Sequence, residues 1–316
     1  MDLHARAKKL RMASSYDVVI VGGGAAGLSA ALVLARCRRT VLLCDDGHPR
    51  NEASPAVHCL LGNEGVAPAA LLAKGRRELQ DYNSVTIHNG RLIEIAGKSA
   101  EFTVTSADGF AATARKVLLT TGLRDELPQI DDFERFYGRS IHHCPYCDGY
   151  ESRDKAIAVY GKGDKGPALA LMLKQWSADV MLLTDGEAEI EPEMQARLER
   201  HGITVCTDNI AGFEGNCQGR LSHIRLQGGM ALSRDVLFFA TGAVQSSDLG
   251  EKLGCKRDEK GGIVCDPVTE ESSVPGVYIA GDASREVLLV AVAIAEGAKA
   301  AVAINRALLR EDGLGS

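Results

Sequence analysis

Twice in this chain a short apolar, β-branched run ends in Gly-x-Gly-x-x-Gly and passes directly into an Ala/Leu-rich stretch. The first copy runs from Tyr16-Asp17-Val18-Val19-Ile20-Val21 through Gly22-Gly23-Gly24-Ala25-Ala26-Gly27 into Leu28–Ala35. The second runs from Ala156–Tyr160 through Gly161-Lys162-Gly163-Asp164-Lys165-Gly166 into Pro167–Trp176. Strand, side-chain-poor turn and helix in immediate succession make the opening of a parallel α/β unit. The first glycine makes the tight turn, the second lets backbone approach a pyrophosphate, and the third lets the helix pack closely on the strand. A proline at the helix start costs little, because an N–H there has no intrahelical partner. The expected fold class is therefore α/β, with two doubly wound dinucleotide-binding (Rossmann-like) domains.

Both copies continue alike. Thr40–Cys44 reads as a second strand ending at Asp45, 18 residues after Gly27, and Val180–Thr184 as one ending at Asp185, 19 residues after Gly166. An acid there accepts from a ribose 2′-hydroxyl, so each site is expected to suit an adenine dinucleotide without a 2′-phosphate. Each copy then closes with an apolar strand and Thr-Gly, as Thr121-Gly122 and as Thr241-Gly242. Gly276–Asp282 reads as a further strand ending in Gly281-Asp282, before a long Ala/Val/Leu helix over 285–310. Backbone at such a helix start binds phosphate, and Asp282 is placed for polyol hydroxyls. Residues 68–82 read as helical, and the alternation over 85–110 as a small antiparallel hairpin set. Asp46–Asn51 is a turn-rich loop in which Arg50 and Asn51 are candidates to meet the cofactor.

The chemistry sits in His142-His143-Cys144-Pro145-Tyr146-Cys147-Asp148-Gly149-Tyr150. Two thiols with two residues between them close a small disulfide ring, and in such settings one thiolate is usually acidified enough to attack another sulfur. Asp148, His142 and His143 are candidate proton carriers. Seven further cysteines are scattered and read as small buried apolar residues in a reducing cytoplasm. A zinc site is disfavoured, since the second pair of ligands it usually needs is missing. The formal charge of −6 supplies no basic field for nucleic acid or anionic lipid, and no apolar run reaches a membrane span. Met1–Arg11 is basic but has no apolar segment behind it; it is expected to be a solvated tail, with Met12 as an alternative start, and not a signal peptide.

Taken in order, the Gly22–Gly27 turn, Thr121-Gly122, Cys144-x-x-Cys147, Thr241-Gly242 and Gly281-Asp282 resemble the flavin-dependent pyridine-nucleotide-disulfide oxidoreductases, in particular the low-molecular-weight thioredoxin reductase group. The resemblance covers nearly the whole chain. It implies an FAD domain made of 1–122 and 249–316, interrupted by a pyridine-nucleotide-type domain at 123–248 that carries the thiols, and a homodimer. The FAD contacts it implies are Gly22, Gly24, Ala25, Ala26, Gly27, Asp45, Arg50, Asn51, Thr121, Gly122, Gly281 and Asp282. Gly161, Gly163, Gly166 and Asp185 would form the second nucleotide site, for NAD(P)(H).

Two features depart from the reductases. The basic cluster that clamps the NADPH 2′-phosphate is replaced by the acidic Thr184-Asp185-Gly186-Glu187-Ala188-Glu189, although Lys162 and Lys165 remain for a pyrophosphate. The Arg-Gln pair beside the flavin is replaced by Glu286-Val287-Leu288-Leu289-Val290. Together with His142-His143 and Asn51-Glu52, these make the chain more similar to the gliotoxin/romidepsin-type dithiol oxidases. That resemblance implies that Cys144 meets the thiols of a small dithiol, that Cys147 passes electrons to FAD, and that O2 or a pyridine nucleotide reoxidises the flavin. A reductase of thioredoxin or another protein disulfide, driven by NAD(P)H or ferredoxin, is the alternative reading.

Overall fold

The computed structural model describes residues 14–187, 189–284 and 287–315. The Met1–Arg11 tail, Met12, Ala188 and the Arg285–Glu286 start expected for the long helix lie outside the described residues. The chain forms two compact units, one from residues 1–49, 72–123 and 245–316, the other from 50–71 and 124–244. The 50–71 segment, which the sequence boundaries put with the first unit, belongs by its contacts to the second.

In the first unit Val85–Asn89, Val41–Asp45, Ser14–Val21 and Ala111–Leu119 run parallel, in that order. Val85–Asn89 is thus a strand of the main sheet and no part of a hairpin set. The antiparallel meander begins only at Leu92–Lys98 and returns through Glu101–Ser106. Ala111–Leu119 is shared: its first half, Ala111–Ala114, pairs with that meander, and its second half, Val117–Leu119, takes Val277–Ile279 as a parallel neighbour.

Period-two burial explains the layers, since alternate strand residues face opposite sides. Val19 and Val21 pack with Leu42, Phe102 and Val104 on the meander side, whereas Val18 and Ile20 pack with Leu34, Ala300 and Leu308 on the helix side. Two helices form that second layer, Ala25–Arg36 and the final Val290–Glu311. They meet closely because Gly297 has no side chain, and a Cβ there would land on the Ala26 carbonyl. Ser29 Oγ also donates to the Ile294 carbonyl at 2.8 Å.

The second unit repeats the pattern. Thr204–Cys206, Val180–Leu183, Ile157–Tyr160, Val236–Phe239 and Ile141–His142 form a five-stranded parallel sheet, with a separate meander at Ile210–Gly215, Leu221–Leu226 and Ala231–Ser233. Ala158 and Tyr160 face the aromatic cluster Phe133, Phe136, Phe213 and Phe239, while Ile157 and Val159 face the helix Lys165–Leu173. Among the described residues no helix is long and apolar enough to cross a membrane.

Candidate redox and cofactor sites

The first glycine turn is shaped by contacts a side chain would destroy. A Cβ on Gly22, at φ +109°, would collide with the Thr120 carbonyl, and one on Gly27 with the Gly22 carbonyl. Gly24 alone of the three faces open space. It is also the N-cap of the 12-residue helix Ala25–Arg36 and supplies no side-chain cap. The first N–H groups of a helix have no intrahelical acceptors and carry the positive end of the macrodipole. An open face in front of such donors fits the pyrophosphate of FAD. Next to the expected Thr121, Thr120 ties the strand to the turn, its hydroxyl donating to the Gly22 carbonyl at 2.7 Å and sharing the Val21 carbonyl at 3.0 Å.

Asp45 ends its strand as expected, but its carboxylate already has partners. Oδ1 accepts from the Gly23 N–H at 2.9 Å, and Oδ2 pairs with Arg76. A carboxylate has about four acceptor positions, so room remains for a ribose hydroxyl. Gly281 and Asp282 lie in a single 3-10 turn, Gly281–Ser284, and the buried Glu296 accepts from the Gly281 N–H at 2.7 Å. Glu296 was missed, since a lone acid in an Ala-rich helix gives no sequence signal.

The second glycine turn keeps the backbone, and its open middle glycine, but differs in the side chains that stand near it. Gly161 and Gly166 press together, and Gly163, at φ +59°, is open. Asp185 sits at φ +52°, where its Oδ1 accepts from the Ile210 N–H at 2.8 Å, opening the meander. The Tyr160 hydroxyl also bonds Asp185; burial first, and this acid second, push that phenol up. Lys162 Nζ stands 4.0 Å from Asp185 Oδ2. Before Gly242, the Glu126 carboxylate lies 3.3 Å from where a Cβ would be, and Lys165 Nζ 3.8 Å from it.

Cys144 and Cys147 form a disulfide with their Cα atoms 5.3 Å apart. Cys144 caps the short helix Pro145–Asp148, and its sulfur accepts from the Cys147 N–H at 3.2 Å. That N–H is aimed at charge that develops on sulfur when the S–S bond opens. His142 is buried, with Nδ1 3.2 Å from Asp148 Oδ1. His143, partly buried, points Nδ1 toward Asp125 Oδ2 at 3.8 Å. Burial holds the His143 imidazole below its ordinary value, against the pull of Asp125, so near neutrality it is a proton acceptor.

Arg50 belongs to the second unit and makes a two-pronged pair with Asp125, Nη2 to Oδ1 at 2.5 Å and Nε to Oδ2 at 3.1 Å. Tyr137 donates to the same carboxylate at 2.9 Å. Burial pushes the Asp125 carboxyl up, but Arg50, His143 and the Tyr137 hydroxyl outweigh it and hold the group below the ordinary value. Asn51, also in the second unit, contributes its carbonyl to a turn closed by the Ser54 N–H at 3.0 Å. Asp125 and Tyr137 were invisible in the sequence, lying in a polar stretch without periodicity.

Comparison with known proteins agrees with this geometry. Thioredoxin reductase tcpT of Claviceps purpurea is 30% identical, over 84% of this chain and 86% of its own. The solved structure of HlmI superposes with a TM-score of 0.89 at 36% identity, covering 95% of this chain and 94% of that one. An oxidoreductase from Agrobacterium tumefaciens gives 0.86 at 34%, over 94% and 99%. Residues 16–297 match the family described as pyridine nucleotide-disulphide oxidoreductase. With one glycine cradle open to FAD, a second of the same build and a disulfide poised for exchange, this chain belongs to the pyridine nucleotide-disulphide oxidoreductases and is an enzyme of thiol–disulfide chemistry.

Proposed function

We propose that the chain is a dithiol oxidase that closes a disulfide in a small secondary-metabolite dithiol. The observation that carries this reading is the condition of the second glycine turn. Asp185 is engaged by the Ile210 N–H and the Tyr160 hydroxyl, Glu126 stands before Gly242, and Asp185, Glu187 and Glu189 offer acids where an NADPH 2′-phosphate needs bases. A reductase drawing on NADPH depends on that clamp, whereas an oxidase fed by thiols does not. The exposed rings of Tyr146 and Tyr150, on either side of Cys147, give a small apolar dithiol a surface to lie against.

One substrate thiolate attacks Cys144 and displaces Cys147 as thiolate; the second substrate thiol then attacks the mixed disulfide and frees Cys144. Two electrons now rest on the cysteine pair, and the protons of the substrate thiols have to be taken up. His143, kept neutral by burial, is placed to accept one, and Asp148, paired with His142, stands next in sequence to Cys147 for the other. FAD, when bound in the first cradle, supplies the two-electron acceptor that restores the disulfide, with O2 or a pyridine nucleotide as final oxidant. The same proposal places the enzyme in the cytoplasm as a homodimer.

Anaerobic titration tests it. Dithiothreitol, as a model dithiol, should bleach the flavin, and NADPH should not; rapid bleaching by NADPH with no dithiol present sinks the oxidase reading. The second reading, a thioredoxin reductase-like enzyme, has in its favour the Lys162 and Lys165 amines on the second turn and the name of the Claviceps relative.

A further inference from the structure

The redox turn is touched by a third thiol. Cys59 Sγ donates to the carbonyl of Tyr146, between the two disulfide cysteines, at 3.3 Å. Standard covalent dimensions put that oxygen within about 3 Å of the Cys147 Cα, so the Cys59 sulfur lies within about 6 Å of it. The Cys59 side of the contact is held by a closed hairpin. Val57 and Val66 form an isolated antiparallel bridge, the Gly65 N–H donates to the Val57 carbonyl at 2.9 Å, and the Asn63 N–H to the Leu60 carbonyl at 2.9 Å. The same hairpin approaches the redox turn a second time through His58, whose Nδ1 is 2.6 Å from Glu64 and whose Nε2 is 3.9 Å from Glu151.

Cys59 is exposed. It differs in this from Cys44, which is buried and whose thiol is pushed up to about 12, chiefly by that burial. All these contacts lie within the second unit. A thiol held against the backbone of the disulfide turn competes with any thiol from solution at a high effective concentration.

We propose that Cys59 is a third exchange thiol of this enzyme, able to take over Cys147. The Cys59 thiolate attacks the Cys147 sulfur; the Cys59–Cys147 bond forms, the Cys144–Cys147 bond breaks, and Cys144 leaves as a thiolate that picks up the proton Cys59 gave up. No electrons enter or leave, so the step is an isomerisation and needs no oxidant. Its product withdraws Cys147 and leaves the other sulfur of the pair, Cys144, as a free thiol. The enzyme thereby has a stored form in which the oxidising equivalent is kept and the thiol pair is taken apart.

The inference rests on the redox activity of the pair and not on the direction of electron flow. Its test uses the flavin-loaded Cys144→Ser enzyme, oxidised with diamide, alkylated, digested and mapped by mass spectrometry. A Cys59–Cys147 linked peptide is expected as the main disulfide, with two fewer titratable thiols per chain than in the reduced protein, and neither change is expected when Cys59→Ser is added. Cys144→Ala serves if the serine variant fails to fold, the flavin spectrum being the check. Recovery of both Cys59 and Cys147 as alkylated thiols, or pairing of Cys147 with Cys206 or Cys217 to a similar extent, overturns the proposal. In the wild-type protein, isolated oxidised, a minor fraction of the Cys59–Cys147 peptide is expected beside the Cys144–Cys147 one; its complete absence after long incubation at mildly alkaline pH also overturns it. Bleaching of the flavin by dithiothreitol and NADPH is read on the same wild-type preparation, so failure here is distinct from failure of the oxidase reading.

Discussion

The two glycine turns share a backbone and differ in what stands around them. At the first, Gly22 and Gly27 are locked against their own strand and against Thr120, and the space beyond Gly24 is left to a ligand. At the second, Gly161 and Gly166 are locked in the same way, yet Asp185 serves the Ile210 N–H and Glu126 leans toward Gly242. The backbone scaffold and the ligand site are therefore separable. The scaffold depends on glycines that tolerate no Cβ, whereas the site depends on side chains that change without disturbing the sheet. The second unit carries the same glycine scaffold and, in addition, the Cys144–Cys147 turn.

The largest expected effect contrasts the two open glycines. Gly24→Asp puts a carboxylate where the first cradle receives a pyrophosphate; two like charges about 4 Å apart at an intermediate dielectric repel by about 4 kcal/mol, or roughly a thousandfold in affinity. The purified variant should be colourless, with FAD affinity measured by fluorescence. Gly163→Asp should leave flavin content and dithiol turnover within about twofold. A matching loss of dithiol turnover at Gly163 would mean that the second cradle is in use.

A smaller effect is expected at Asp125, in the second unit. The Asp125 and Arg50 side chains are 5% and 15% exposed, so Asp125→Ala strands a largely buried guanidinium and should cost about 3 kcal/mol in chemical denaturation. The folded carboxyl titrates below its ordinary value of 3.8, so its stabilisation is present above that pH and is lost as pH falls through the folded value. The acid limb of the stability curve should accordingly be shallower in Asp125→Asn. An unchanged limb would remove Asp125 from the network that orients His143.

The smallest contrast is between the two strand-end acids. Asp185→Ala deprives the Ile210 N–H of its acceptor, worth about 1 kcal/mol, with no change in flavin affinity. Asp45→Ala, which frees Arg76 and the Gly23 N–H, should cost a similar amount and also weaken FAD binding, by equilibrium dialysis. Equal flavin affinity in both variants would put the adenine ribose elsewhere.

The parts of this molecule that could be read in the sequence are those whose partners are near in the chain or whose residue type is dictated by backbone. Both glycine turns, their strands and the Cys144–Cys147 pair are of that kind. Val85–Asn89 was misread because alternation marks a strand and says nothing of its neighbours. Arg76 on Asp45, Cys59 on Tyr146 and Arg50 on Asp125 lie 31, 87 and 75 residues apart, and contacts at such separations leave no periodic trace. Thr120 and Thr121 are adjacent hydroxyls, and only strand register decides which one turns toward Gly22.

The sharing of Ala111–Leu119 has a consequence for biogenesis. Its second half stays without its Val277–Ile279 neighbour until the whole intervening 120–276 stretch has been made, and the Val290–Glu311 layer that covers Ala26 and Leu34 is synthesised later still. The continuous 124–244 segment meets no such delay. During translation the sulfur-bearing half should be able to mature first, while the apolar flank of Val18, Ile20 and Leu118 waits uncovered, a natural place for a chaperone to bind.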